Sequence, residues 1–163
     1  MRMFEKISYQ QFKNDISNNK KLYGEYNLPK RNTRYSAGYD FYAIEEINIK
    51  PGEIKKIPTG VKVCMNNDEM LMMVVRSSYG FKYNIRLTNQ VGIIDSDYYD
   101  NINNEGHLWV CMQNHSDKLF TINKGDKFVQ GIFTKYLTVD NEKEITEQRK
   151  YGFGSTGKGD NNE

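Results

Sequence analysis

Short runs in which apolar and polar residues alternate fill the middle of the chain, from about residue 37 to residue 136. Gly, Pro or Asn interrupts these runs every ten residues or so, which is typical of strands joined by turns. The predicted strands are 39–44, 47–49, 54–57, 61–65, 70–76, 86–88, 91–94, 107–113, 119–122 and 127–133. The pattern therefore predicts an all-β barrel or sandwich.

One predicted strand, 107–113, is apolar on both of its faces. Leu108, Val110 and Met112 share one face, and Trp109 and Cys111 share the other. Since an edge or half-exposed strand normally keeps one polar face, we expect this strand to lie at the centre of a sheet.

Helix is predicted only near the N-terminus. Ser8 and Gln11 fit a capping box that opens a short helix, with Phe12 and Ile16 on its apolar side. The chain turns polar and then Gly-rich after residue 139, where no core-forming pattern remains. We therefore expect one domain with an N-terminal extension (1–27), a barrel body (28–139) and a flexible C-terminal arm (140–163).

Charge and hydropathy exclude several classes of partner. The 163 residues include 23 Lys and Arg against 21 Asp and Glu, a formal net charge of +2 with His neutral. No single-sign field favours nucleic acid or an anionic membrane. The longest apolar run, 71–75, is far shorter than the roughly 20 residues of a membrane span, and the first residues lack an apolar signal core. We expect a soluble cytoplasmic protein.

The two cysteines, Cys64 and Cys111, are too few for a disulfide framework. Neither stands in a spacing typical of metal ligands. We expect both to be small buried apolar residues.

The C-terminal segment 152–159 approaches the phosphate-binding pattern G-x-x-x-x-G-K-[ST]. It departs from that pattern at Gly159, where a hydroxyl residue is required, and too few residues follow to build the next helix. Its glycines still allow backbone amides to converge on an anion, while Ser155 and Thr156 add hydroxyl donors. Phe153 favours a ligand with a ring, such as a nucleobase. The alternative is a solubilising tail.

Two further clusters follow apolar strand residues. Asp95 ends one predicted strand and Tyr98 comes three positions later, an arrangement that suits a carboxylate holding a water; an ordinary turn is the alternative. Arg76, Ser77 and Ser78 end another predicted strand and suit a phosphate, although such a group is also found at ordinary strand ends.

These segments occur together and in order, and the sequence resembles the trimeric dUTPases of bacteria and their phages. The resemblance extends over about 28–158 and includes five motifs, at 37–43, 76–78, 89–98, 125–130 and 153–157. One such match would be weak evidence, whereas five in order are specific.

The resemblance implies a role for each matched residue. Asp95 would orient and deprotonate the attacking water, Tyr98 would stack on the deoxyribose, and Asn89, Gly92 and Ile94 would bind uracil. The phosphates would be held by Arg76, Ser77, Ser78 and Gln130. The arm would contribute Arg149, Gly154, Ser155 and Thr156 at the γ-phosphate and Phe153 over the uracil. Asp40 would shape the site by pairing with a cation.

The resemblance also implies a jelly-roll-like barrel assembled as a homotrimer, with sites shared between chains. The reaction would be hydrolysis of dUTP to dUMP and pyrophosphate, with Mg²⁺ held by the substrate phosphates and water and by no protein ligand. Such an enzyme limits uracil incorporation into DNA and supplies dUMP.

Two alternatives share this fold. A dCTP deaminase needs a Glu at a place that Cys111 occupies here, and Cys cannot do the proton work of a carboxylate. A dUTP-gated module that binds a regulatory protein would use the loop 99–106, which is longer than in many relatives.

Overall fold

A computed structural model of the chain describes residues 1–147 and 149. The strands are β1 (Met3–Lys6), β2 (Lys30–Arg31), β3 (Tyr39–Tyr42), β4 (Ile47–Ile49), β5 (Ile54–Pro58), β6 (Val61–Cys64), β7 (Glu69–Val75), β8 (Ile85–Leu87), β9 (Gly92–Asp95), β10 (Trp109–Asn114), β11 (Phe120–Ile122) and β12 (Lys127–Lys135). The helices are α1 (Tyr9–Asp15), α2 (Lys20–Glu25) and α3 (Ser77–Tyr83). The all-β prediction is confirmed.

The strands form four antiparallel sheets. The largest has the order β2-β3-β12-β7-β9, and a three-stranded sheet has the order β5-β10-β8. β10 therefore lies between two partners, which confirms its predicted central position. The remaining pairs are β1 with β6 and β4 with β11.

The main core lies between these sheets. Alternate residues of β7 point inward, so that Leu71 and Met73 are buried and pack with Phe41, Met112 and Phe128. This alternation is the period-two pattern of the sequence expressed in three dimensions. Burial of these large side chains supplies most of the driving force for the body of the fold.

The N-terminal extension forms a second, smaller core. Ser8 caps α1 by accepting a hydrogen bond from the Gln11 backbone N–H at 3.1 Å, as predicted. Phe12 is fully buried and stacks on Tyr26 with ring centroids 5.6 Å apart. This cluster fixes the end of α1, and with it Asp15, against the barrel body.

Several elements differ from the sequence-based expectation. β1, β2, α2 and α3 were not predicted, and the expectation of a single short helix is wrong. Cys64 and Cys111 are free thiols and are half-buried, not buried. The reason is their register: each alternates with a buried neighbour and so points away from the core. No helix in the described residues is long and apolar enough to cross a membrane.

Candidate active site

β9 carries the predicted water-binding carboxylate to the surface. Gly92 and Ile94 are buried, whereas Asp95 is exposed at the end of the strand. A Cβ at Gly92 would lie 3.2 Å from the Met73 Cβ, so this position favours the smallest residue where β9 meets β7. A short 3-10 turn, Ser96–Tyr98, follows directly and brings the Tyr98 ring back toward the core.

Tyr98 is held by its hydroxyl group. The hydroxyl donates to the His107 carbonyl oxygen at 3.1 Å and accepts from Asn104 Nδ2 at 2.9 Å. Burial raises the pKa of Tyr98, so its hydroxyl remains protonated at neutral pH. The buried ring is therefore held in one place, at the end of the 3-10 turn that follows Asp95.

A pocket of about 600 Å³ lies behind β9, large enough for a nucleobase and sugar. Three predicted uracil-binding residues, Asn89, Gly92 and Ile94, line it. Its other walls are formed by Asp15, Lys56, Met73, Leu87, Thr88, Ile93, Asn104, Trp109, Val110 and Cys111. The arrangement combines an apolar surface for a ring with the polar edge of the 88–89 turn.

Arg149 forms an ion pair with Asp95, the predicted general base. Its Nη2 is 2.5 Å from Asp95 Oδ2, and its Nε donates to Asp97 Oδ1 at 2.8 Å. Its guanidinium carbon is 6.0 Å from the centre of the Tyr98 ring. The structure thus brings Arg149, Asp95 and Tyr98 together, whereas the family resemblance implied a role for Arg149 at the γ-phosphate.

A second group of predicted residues gathers around Asp40, which is buried. Arg76 Nε lies 3.3 Å from one Asp40 oxygen and Lys127 Nζ lies 3.5 Å from the other. Arg76 Nη1 also donates to the Lys127 carbonyl oxygen at 3.5 Å. Asp40 thus pairs with two cations and holds the Arg76 guanidinium in a defined orientation.

The hydroxyl groups and the amide that we expect to bind phosphates lie next to this group of Asp40, Arg76 and Lys127. Ser77 and Ser78 open α3 and are exposed. Gln130 is half-buried, and its Nε2 donates to the Val75 carbonyl oxygen at 3.3 Å. A Cβ at Gly38 would lie 2.1 Å from Gln130 Oε1, so glycine there leaves room for this amide. An open groove of about 1030 Å³ contacts this region.

The two groups are far apart within one chain. In the β7–β9 ladder Asp95 lies opposite Met70, at one end of β7. Arg76 follows the other end of β7, six residues further on, which corresponds to about 20 Å at about 3.3 Å per residue. Successive phosphate groups of one ligand are only a few ångströms apart. A single chain therefore does not bring Asp95 and Arg76 to neighbouring phosphates.

Some predicted residues cannot be placed, and some contacts were missed. Phe153, Gly154, Ser155 and Thr156 lie outside the described residues. Two contacts near the site have no motif in the sequence: Asn104 Nδ2 donates to the Tyr98 hydroxyl at 2.9 Å, and Asp15 lies 2.5 Å from His107 Nδ1. Only the length of the loop 99–106 indicated a special feature there. The described residues hold no group of three or more His, Cys, Asp or Glu able to ligate a metal.

The fold and the sequence are similar to those of known proteins. A family model described as dUTPase matches residues 24–157. The deoxyuridine 5'-triphosphate nucleotidohydrolase of Lactococcus lactis subsp. lactis (strain IL1403) is 49% identical over 132 residues, which are 80% of this chain and 88% of that protein. The Actinobacillus succinogenes protein of the same name is 38% identical and covers 82% of this chain and 89% of its own length.

The fold is also similar to those of solved dUTPase structures. The crystal structure of dUTPase from Streptococcus mutans has a TM-score of 0.68 and 39% identity, and the match covers 84% of this chain and 98% of that one. A mutant dUTPase from phage phi11 of S. aureus, described with a structural Mg(II) ion, matches with a TM-score of 0.66 at 20% identity over 90% of this chain and 97% of its own.

Proposed function

This chain belongs to the dUTPase family, and we propose that it hydrolyses dUTP to dUMP and pyrophosphate by attack of water on the α-phosphorus. The observation that carries the proposal is the exposed Asp95 at the end of β9, beside a pocket lined by the predicted uracil-binding residues. Such an activity would limit uracil incorporation into DNA and supply dUMP.

Asp95 is the general base in this proposal. An exposed carboxylate can accept a proton from a water molecule and orient it toward phosphorus, which contributes about 10²- to 10⁴-fold to the rate. Arg149 pairs with Asp95 and Asp97 in the structure. A bound triphosphate would offer the guanidinium stronger acceptors, so we propose that Arg149 transfers to the γ-phosphate and leaves Asp95 free to bind water.

Arg76, Ser77, Ser78 and Gln130 would hold the phosphates. The guanidinium of Arg76 offers a planar set of donors that matches phosphate oxygens, and its pairing with Asp40 keeps it oriented. Fixed donors at the phosphates stabilise charge that develops in the transition state, and loss of one such donor costs about 10²- to 10³-fold. Asp40 acts here as an orienting group and does not touch the substrate.

We propose that Mg²⁺ enters with the substrate. Phosphate and water oxygens are the ligands this ion prefers, and the residues around Arg76 supply cations for the same phosphates. When bound, the ion would neutralise charge on the triphosphate. Asp95, Arg76 and Gln130 perform positioning and proton transfer from the protein side.

A homotrimer would bring the two groups of residues together. Asp95 and Arg76 are about 20 Å apart along β7 in one chain, as derived from the strand register. Closed cyclic symmetry can place the Asp95 of one copy beside the Arg76 of the next. The segment 140–163 would act as an arm that carries Phe153 to the uracil and Gly154, Ser155 and Thr156 to the γ-phosphate.

The test is a substrate panel of dUTP, dTTP, dCTP and UTP with Mg²⁺, in which pyrophosphate and ammonia are measured together. We expect pyrophosphate from dUTP, little from the other three nucleotides and no ammonia from dCTP. Ammonia from dCTP would show a deaminase. A folded protein that binds dUTP without turnover would instead favour a dUTP-gated interaction module, whose protein partner would be sought at the loop 99–106.

A further inference from the structure

The loop 99–106 is joined to Tyr98, and we propose that Asn104 in this loop is a positioning residue that sets the preference for deoxyribose over ribose. It would do so by holding the Tyr98 ring in place. The inference rests on the proposed function, because it assigns a role to Asn104 in the same site.

The Tyr98 hydroxyl receives a hydrogen bond from Asn104 Nδ2 at 2.9 Å and donates one to the His107 carbonyl oxygen at 3.1 Å. A phenol whose oxygen is held in this way cannot swing sideways about its Cα–Cβ bond, because that rotation would carry the oxygen away from both partners. A ring that packs against a sugar rejects an extra hydroxyl only if it cannot move aside. The hydrogen bond from Asn104 is therefore placed to control discrimination at the 2'-carbon.

The Asn104 amide is fully occupied by the loop and by the two residues that flank it, Tyr98 and His107. Its Nδ2 donates to Tyr98 and, at 3.5 Å, to the His107 carbonyl oxygen. Its Oδ1 accepts from Asn101 Nδ2 at 2.9 Å and from the Gly106 backbone N–H at 3.1 Å. A side-chain amide has two donor hydrogens and two acceptor sites, and all four are used. Asn104 therefore acts through Tyr98, although it also lines the pocket.

The backbone of Tyr98 is held as firmly as its hydroxyl. Asn101 Nδ2 donates to the Tyr98 carbonyl oxygen at 2.8 Å. Gly106 has φ +78°, and a Cβ there would lie 2.6 Å from the same oxygen. Asp100 and Glu105 have φ of 53° and 59°, conformations that cost a non-glycine residue free energy and tend to occur where a function requires them.

The loop is anchored outside the site. Glu105 accepts hydrogen bonds from the Ser8 backbone N–H at 2.9 Å and from Ser8 Oγ at 2.5 Å. Lys62 Nζ lies 2.5 Å from Asp100 Oδ1, and the Tyr99 hydroxyl donates to Glu5. These contacts tie the loop to the N-terminal extension and to β6. Asn104 therefore projects from a rigid support.

The test compares N104D with N103D in the full-length trimer. Asp at position 104 keeps the acceptor oxygen but cannot donate to Tyr98, whereas Asn103 is an exposed neighbour and its replacement adds the same charge. The measurement is the ratio of kcat/KM for dUTP to kcat/KM for UTP. We expect N104D to lower this ratio about five- to tenfold, as for loss of one part-buried hydrogen bond, and N103D to leave it unchanged.

A double-mutant cycle with Y98F shows whether Asn104 acts through the hydroxyl. Y98F should lower the ratio by a similar factor, and N104D should add little in the Y98F background. Y98F removes the same hydrogen bond from the other side, so it tests the inference even if N104D does not fold. An unchanged ratio in Y98F or in folded N104D, or additive effects in the cycle, would overturn the inference. A wild-type protein that releases no pyrophosphate from dUTP would instead overturn the proposed function.

Discussion

At the scale of single residues, Asp95 is the proposed general base. Replacement by Asn keeps the size and hydrogen-bonding capacity of the side chain but removes the base. We expect D95N to bind dUTP with nearly wild-type affinity and to lose about 10²- to 10⁴-fold in kcat. Calorimetric binding and pyrophosphate release in single-turnover experiments measure the two quantities separately.

Asp97 provides the matched control for that experiment. It lies on the 3-10 turn that directly follows Asp95, is exposed and also pairs with Arg149. D97N should therefore reproduce any effect of a lost Arg149 contact while leaving the base in place. Equal loss of binding and turnover in D95N, or equal kcat values for D95N and D97N, would mean that Asp95 is structural.

His107 gives a prediction on pH. Its side chain is fully buried; Nε2 accepts from the Gly60 N–H at 2.9 Å and Nδ1 faces Asp15, so the ring is neutral with its proton on Nδ1. Burial lowers the pKa of His107 from 6.5, although Asp15 opposes this shift. Below about pH 6.5 the unfolded chain therefore binds a proton that the folded chain does not. The free energy of unfolding consequently decreases as the pH is lowered.

The free energy of unfolding changes most steeply between pH 6.5 and the lower pKa of His107 in the folded chain. This slope cannot exceed about 1.4 kcal/mol per pH unit for one group. Thermal melts at pH 7.5 and 5.5 would measure it. H107Q should show a smaller loss of Tm over this range than the wild type, while H115Q, at an exposed His, should match the wild type. The same pH dependence in H107Q and wild type would contradict this assignment.

At the scale of elements, the conformation of the loop 99–106 should depend on Gly106, where the loop backbone approaches the Tyr98 carbonyl oxygen closely. Gly106 and Gly52 have similar positive φ values, 78° and 75°, but only Gly106 has neighbours near its missing Cβ. Both G106A and G52A should lose about 1 kcal/mol of stability from backbone strain. G106A should lose more, with lowered turnover of dUTP. Tm and kcat/KM check this, and equal losses in the two variants would contradict it.

The sequence pattern predicted the strands better than the helices, for a physical reason. Alternation within β7 or β12 is a local property and is visible in one segment. In contrast, α3 begins at Ser77 without a side-chain cap and is held by tertiary contacts, such as the Tyr79 hydroxyl donating to the Lys127 carbonyl oxygen at 3.0 Å. β1 exists only through its pairing with β6, about 60 residues later.

The site was predictable in part. The motifs indicated Asp95 and Arg76 because carboxylates and guanidinium groups at strand ends suit water and phosphate. The contact between Asn104 and Tyr98, and that between Asp15 and His107, were not predictable, since they depend on how a loop and a helix fold against distant strands. Period and propensity carry no information on such contacts.

At the scale of the whole molecule, the central claim is that Asp95 and Arg76 of different copies share one site. β7 separates them by about 20 Å within a chain. Two inactive variants, D95N and R76Q, should therefore restore each other when they assemble together. In a random equal mixture, about a quarter of the sites receive both an intact Asp95 and an intact Arg76 from adjacent copies.

The measurement is dUTP hydrolysis by D95N and R76Q chains that are co-refolded in equal amounts. We predict about a quarter of the wild-type activity, well above that of either variant alone. As a control, the double variant mixed equally with wild type should also retain about a quarter if the site is shared between copies, and about half if it lies within one chain. A D95N and R76Q mixture no more active than its components would contradict the shared site.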